Sequence, residues 1–165
     1  MYKLSKRTFD ITIGIILLLI FAPLFFLISL VLILSGEKIF YTQYRIGFHQ
    51  KKFKIWKFTT MIKNSSEIGN KTITLRNDKR VTKFGKILRY SKLNELPQLF
   101  NLLNGTMTLV GPRPHMDLDF NLYPNEIKNK IFNIKPGITG IGSIIFRDQE
   151  LMFTKEFEAK GIYPY

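Results

Sequence analysis

The sequence predicts an α+β protein in which an N-terminal re-entrant membrane helix-break-helix precedes a small β-hairpin or sheet and interfacial amphipathic helices. Three observations predict it. Residues Ile11 to Leu34 carry no charged side chain, and Pro23 interrupts that run at its middle. The stretches 39–47 and 52–61 are aromatic and β-branched, with a short polar turn between them. From Asp78 onward the apolar residues fall at helical spacing, with Lys and Arg on the opposite face.

A chain of 165 residues holds one compact domain and one membrane segment, but not two domains with separate cores. The expected division is an anchor over 1–36 and a membrane-associated domain over 37–165. Gly161 to Tyr165 carry no helix-stop or tail signal, so the domain is expected to be C-terminally incomplete. Lys and Arg outnumber Asp and Glu by 25 to 12, a formal charge of +13, which points to an anionic partner: nucleic acid, acidic headgroups or a phosphorylated substrate. The chain has no cysteine, which excludes disulfides, thiolate metal sites and thiol nucleophiles.

The uncharged run is long enough to span hydrocarbon as a helix, and longer than the apolar region of a cleaved signal. Pro23 removes a backbone donor and crowds the preceding turn. Basic residues flank both ends: Lys3, Lys6 and Arg7 before it, and Lys38, Arg45, Lys51, Lys52, Lys54 and Lys57 after it. Both ends therefore prefer the cytoplasmic side, which favours a hairpin bent near Ala22-Pro23 over a kinked span.

Beyond the hairpin, residues 62–77 gather Asn, Ser, Gly and Thr and read as an irregular loop. From Asp78, Val81, Phe84, Ile87 and Leu88 share one helical face, while Lys79, Arg80, Lys83, Lys86 and Arg89 occupy the other. Such a helix either lies in the bilayer interface or packs as an ordinary surface helix. Leu96, Leu99, Phe100 and Leu103 then form a buried stripe, with Asn94 as N-cap, Pro97 in the first turn and Gly105 past the end. This places Asn94 and Glu95 at a helix start, where free N–H groups favour phosphate.

Residues 106–114 read as a short strand ending in a rigid turn that holds Arg113 between two prolines. A fixed guanidinium suits a diphosphate, whereas a stiff connector with a solvated Arg is the plainer alternative. Lys135-Pro136-Gly137-Ile138-Thr139-Gly140 is a second stiff turn bearing a cation, and the two turns are candidates to frame one anion site. Glu95, Asp117, Asp119, Asp148 and Glu150 are the candidate ligands for magnesium, the metal that hard oxygen ligands and phosphates suggest. His49 and His115 lack metal-ligand spacing.

Taken together, the motifs resemble the bacterial sugar transferases, small monotopic phosphoglycosyl transferases acting on polyprenyl phosphate. The resemblance rests on Lys6-Arg7-Thr8-Phe9-Asp10, the Pro-broken run, Gln43-x-Arg45-x-Gly47, Lys57-Phe58-x-Thr60-Met61, Asp78-x-Arg80-Val81-Thr82-x-Phe84-Gly85, Glu95-Leu96-Pro97-Gln98-Leu99, Val110-Gly111-Pro112-Arg113-Pro114 and the Lys135 turn. It implies transfer of a sugar 1-phosphate from a UDP-sugar to undecaprenyl phosphate. UMP is released with the help of magnesium, at the cytoplasmic face of the bacterial inner membrane, as the first membrane step of capsule, exopolysaccharide or glycoprotein assembly. In the family an Asp before the Glu attacks the diphosphate; here the pair is Asn94-Glu95, and an amide is a poor nucleophile. Thr59 likewise stands where the family commonly has Arg.

The resulting candidate site takes Asn94, Glu95 and Asp148 as catalytic, with Glu95 and Asp148 also as metal ligands. Arg113, Lys57, Arg80, Arg89, Gln98 and Lys135 are its substrate-binding residues. Asp148 or Glu95 is expected to supply the carboxylate that position 94 lacks. An inactive paralogue that binds nucleotide sugar or lipid phosphate as a scaffold is the alternative, and a nucleic-acid binder is set aside because no nucleic-acid fold is recognisable.

Overall fold

In the computed structural model, residues 4–65, 74, 75 and 77–160 are described, without the side chains of Leu118 and Asp119. Most of the irregular loop expected over 62–77 lies outside the described residues, as do the last five residues.

The uncharged run forms one helix, α1 (Leu4–Leu34), with Pro23 inside it. The expected pair of half-helices is corrected here: the chain does not leave helical conformation at Ala22-Pro23. A proline removes one donor, whereas leaving the helix would free several backbone groups beside an apolar surface. Burial follows a single stripe, with Asp10, Gly14, Ile28 and Leu32 buried and Leu17, Leu18, Phe21, Leu24 and Phe25 half-buried between them. The opposite face exposes Ile15, Ile16, Leu19, Ile20, Phe26, Leu27, Leu30 and Ile33, and Pro23 lies on that side. The helix is long and apolar enough to cross a membrane.

Strands β1 (Phe40–Ile46) and β2 (Lys52–Phe58) form the expected antiparallel hairpin, with Tyr41 opposite Lys57, Gln43 opposite Ile55 and Arg45 opposite Phe53. Strand alternation therefore puts Arg45, Ile55 and Lys57 on one face. Phe40 and Phe58 stack on the other at 5.7 Å, with Phe25 of α1 4.8 Å from Phe58. Ile28, Leu32, Phe58 and Leu88 make the core cluster, joined at its edge by Phe25, Phe40, Phe84 and Leu96. Each of these fully buried side chains contributes about 1.5–3 kcal/mol of burial. Because two of the four come from α1, the anchor over 1–36 and the domain over 37–165 share one core.

The helix expected from Asp78 begins later, as α2 (Lys83–Tyr90), capped by the Thr82 side chain, which accepts from Gly85 N–H. Its expected apolar face divides: Leu88 is buried, whereas Ile87 and Tyr90 are exposed beside Lys83 and Lys86. A 3-10 turn over Leu93–Glu95 then precedes α3 (Gln98–Asn104), with Pro97 at the N-cap position and Gly105 at φ 82° past the end. Arg7 of α1 donates to the Leu102 and Leu103 carbonyls at 2.6 Å each, binding the last turn of α3 from another helix. Buried Asn101 ties α3 to the hairpin: its Oδ1 accepts from Trp56 N–H at 3.0 Å, and its Nδ2 donates to the Lys54 carbonyl at 2.7 Å.

Strand β3 (Thr108–Val110) runs parallel to β4 (Gly137–Thr139), bringing the two proline turns side by side. A Cβ on Gly111 would sit 2.4 Å from the Lys135 carbonyl, and one on Gly137 would sit 2.1 Å from Gly111 N, so this approach requires glycine at both positions. Helices α4 (Asp117–Leu122) and α5 (Asn125–Ile131) fill the connection. Helices α6 (Ile141–Ile145) and α7 (Gln149–Ala159) follow β4.

Candidate active site

The outward face of the hairpin, the 3-10 turn and the two proline turns meet in a narrow cleft of about 20 Å³ lined by Arg45, Ile55, Lys57, Glu95, Gln98, Arg113, Pro114, Gly137, Ile138 and Ser143. That volume admits a phosphate oxygen rather than a whole nucleotide, so most of a ligand would lie outside it. Three basic side chains face one carboxylate, an excess of two positive charges suited to a diphosphate. Lys57 Nζ donates to Glu95 Oε1 at 2.7 Å. Burial alone would raise the Glu95 carboxyl, but Lys57, Arg113 and Lys92 outweigh it and hold it at about 2. Burial lowers the Lys57 ammonium from its usual range; Glu95 opposes this, while Arg45 and Arg113 add to it. Arg113 is exposed and makes no hydrogen bond or ion pair among the described residues, so its guanidinium is open to a ligand.

The structure brings together Lys57, Glu95, Gln98 and Arg113 of the expected site, and separates the others from them. Asp148 lines a different cavity, of about 170 Å³, with Asp78, Lys86, Arg89, Tyr90, Lys92 and Glu150. The expected Glu95–Asp148 metal pair is therefore not assembled. Arg89 also faces that second cavity, where its Nε donates to Glu150 at 2.8 Å. Arg80 is corrected to a structural residue: its guanidinium is buried against Asp78, Nη2 to Oδ2 at 2.7 Å, leaving it no open face for substrate. The Lys135 side chain lies near Arg7 and Asp10 of α1; burial first, then Arg7, lowers its ammonium while Asp10 opposes. The second turn thus lends the cleft its backbone at Gly137 and Ile138 rather than its cation.

Asn94 does not cap α3. It sits buried inside the 3-10 turn, and its Oδ1 has no hydrogen-bond partner. The N–H groups expected to hold phosphate are used within the turn, Glu95 N–H to the Lys92 carbonyl and Leu96 N–H to the Leu93 carbonyl. Positive charge in the cleft comes from side chains instead. Arg45 was not among the expected site residues; strand alternation from Lys57 across the hairpin would have placed it on the same face. Gln43 supports it, Oε1 accepting from Arg45 Nη2 at 2.8 Å.

Among the described residues no group of three or more His, Asp or Glu is placed to hold a metal. Glu95 alone offers a carboxylate in the cleft, which suits a magnesium ion that arrives on substrate phosphates and takes one protein ligand, and does not suit an all-protein cage.

The family model for bacterial sugar transferases matches residues 1–164. The chain belongs to that family. It is similar to an undecaprenyl-phosphate galactose phosphotransferase of Salmonella typhimurium, with 36% identity over 160 residues, covering 88% of this chain and 33% of that protein. It is 37% identical to the exopolysaccharide production protein ExoY of Sinorhizobium fredii, covering 88% of this chain and 70% of that one. It is 38% identical to a UDP-glucose:undecaprenyl-phosphate glucose-1-phosphate transferase of Escherichia coli, covering 86% and 31%. The chain thus spans about a third of the length of two of these relatives and most of the third. In this sugar transferase Glu95, Gln98, Arg113 and Pro114 line one cleft.

Proposed function

We propose that this sugar transferase moves a sugar 1-phosphate from a UDP-sugar to undecaprenyl phosphate, releasing UMP, at the cytoplasmic face of the bacterial inner membrane. The observation that carries this reading is the cleft in which Arg45, Lys57 and Arg113 surround Glu95. An excess of fixed cations around one carboxylate matches a diphosphate whose negative charge grows on the leaving oxygen. Names of the relatives supply the acceptor class, undecaprenyl phosphate.

Geometry at α1 supports a course in which neither end is carried away from the domain. Near one end Asp10 accepts from Thr108 Oγ1 at 2.7 Å; near the other, Leu32 packs with Phe58 and Leu88. Both ends touch the same folded unit, which a helix crossing the bilayer away from its domain would not do. The exposed apolar face then meets acyl chains, with Ile87 and Tyr90 of α2 at headgroup depth.

In this mechanism Arg113 forks onto one phosphate, and Arg45 and Lys57 face the growing charge. Glu95, ionised throughout the neutral range, keeps Lys57 in place and is the carboxylate that would hold magnesium. Bound magnesium would neutralise phosphate charge and ease departure of the nucleoside monophosphate. Purified protein in detergent, given UDP-sugar, undecaprenyl phosphate and magnesium, should release UMP. Silence with every common UDP-sugar would overturn the proposal.

A further inference from the structure

We propose that Gln98 sets donor specificity: its side-chain carboxamide hydrogen-bonds the substituent at C2 of the donor sugar, the sugar group nearest the anomeric phosphate. The inference rests on the function proposed above, and it gives a task to a residue that the charge of the cleft leaves unexplained.

Gln98 opens α3, directly after Pro97. The backbone there is held on both sides, since Pro97 is fully buried and Asn101, further along α3, is bonded to the hairpin at Trp56 and Lys54. Gln98 is only 3% exposed, and it lines the cleft beside Lys57, Glu95 and Arg113. Its amide makes no hydrogen bond among the described residues, yet unlike Asn94 Oδ1 it is not sealed from solvent. The little surface that Gln98 keeps therefore includes the amide and opens on the cleft.

A nearly buried amide without a protein partner is costly until a ligand completes it. Ser143, the other neutral hydrogen-bonding side chain of the cleft, is half-buried, and its hydroxyl turns to suit whatever it meets, so it selects less. What completes Gln98 follows from its two ends: Nε2 donates and Oε1 accepts. A phosphate oxygen only accepts, so against a phosphate Oε1 would face negative charge unpaired. Arg45, Lys57 and Arg113 serve the diphosphate better.

A hydroxyl or acylamino group offers a donor and an acceptor together. Gln98 shares with the cations a space of about 20 Å³, so the group it meets lies next to the diphosphate. In a nucleotide sugar the C2 substituent is borne by the carbon adjoining the anomeric centre. Uracil and the ribose hydroxyls lie farther along the chain, on the other side of the diphosphate.

The test measures UMP release by the whole chain in detergent, with undecaprenyl phosphate, magnesium and the UDP-sugar it accepts best, against the 2-deoxy analogue of that donor. Wild type should show kcat/KM about tenfold to a hundredfold lower with the analogue, as a site left with an unpaired polar group does. Gln98→Met keeps the length of the side chain and loses both polar ends. It should fall by a similar factor with the parent donor and by less than about threefold with the analogue, because the partner is already gone. A merely structural role would lower both donors alike and overturn the assignment. UDP, which carries the diphosphate and uridine but no sugar, should inhibit both proteins equally to within about twofold. Weaker UDP binding by Gln98→Met would move Gln98 to the phosphates or uridine and overturn the C2 contact. Wild type indifferent to the 2-deoxy analogue would overturn it too, whether or not the variant folds. A wild type that releases no UMP from any common UDP-sugar overturns the functional reading instead.

Discussion

Lys57 and Glu95 close a 2.7 Å ion pair that joins β2 to the turn before α3 at the floor of the cleft. The pair is only partly shielded, with the two side chains 20% and 30% exposed, so its worth is read from pH dependence. The folded pKa of Glu95, about 2, lies below its ordinary 4.5, so its contribution to stability is complete above pH 4.5 and is lost as pH falls toward 2. Thermal unfolding in detergent should show Glu95→Gln less stable than wild type at pH 7, with the gap narrowing as pH falls from 4.5 toward 2. Lys57→Gln leaves burial less opposed and should move the acid limb of activity upward. An unchanged limb would show that the pair does not set the ionisation of Glu95.

Arg113 stands between two prolines with its guanidinium open to the cleft. Arg113→Ala should raise the donor KM or lower kcat/KM by roughly tenfold to a hundredfold, the range of one charge-assisted bond or two. Arg113→Lys keeps charge and loses the fork, so recovery should be partial. Full recovery in initial-rate assays would show that charge alone is required.

Asp148 and Glu95 line separate cavities, and their variants should differ accordingly. Asp148→Ala is expected to keep UMP release within about threefold of wild type, as a side chain outside the reacting centre does, while Glu95→Ala should lose about a hundredfold or more. Equal losses in the two variants would restore Asp148 to the chemistry.

Arg7 supplies two charge-assisted bonds to the end of α3. Arg7→Ala should cost about 1–3 kcal/mol, visible as a lowered unfolding midpoint in detergent. Asn94 and Glu95 precede α3, so activity should fall in step with the folded fraction rather than through KM. A KM effect at full folding would place Arg7 closer to substrate than the structure does.

What the sequence made legible were elements whose signal is local. The uncharged run, the alternating aromatic stretches and the two proline turns each carry their own period or stiffness; the hairpin and the β3–β4 turns formed where expected, and α1 formed over the uncharged run without the expected break. Arg113 was legible because its prolines fix it. What failed depended on which side chains pair once the chain is folded. Arg80 looked free until Asp78, two residues away, closed on it. The Lys135 turn reached the cleft with its backbone, while its side chain approached α1. Asn94 fitted an N-cap by spacing, but Lys92 at φ 62° starts a separate 3-10 turn and moves the helix start to Pro97-Gln98. Arg45 was hidden because strand alternation identifies a shared face only once the hairpin register is known.

The two faces of α1 offer a test that separates core from lipid contact. Ile28 is 2% exposed and packs with Leu32, Phe58 and Leu88, whereas Leu27, one residue earlier, is 55% exposed. Truncating Ile28 to Ala leaves a cavity in the cluster it forms with Leu32, Phe58 and Leu88, and should cost about 2–5 kcal/mol of stability in detergent, with activity falling as the domain loosens. Leu27→Ser removes apolar surface that faces outward, so the detergent-solubilised protein should unfold within about 0.5 kcal/mol of wild type. Its effect should appear in partition instead: less protein sedimenting with vesicles, because the exposed face is what acyl chains would cover. If Ile28→Ala altered vesicle binding and left unfolding unchanged, the buried and lipid-facing sides of α1 would have to be exchanged, and the contact of its second half with β2 and α2 would not hold.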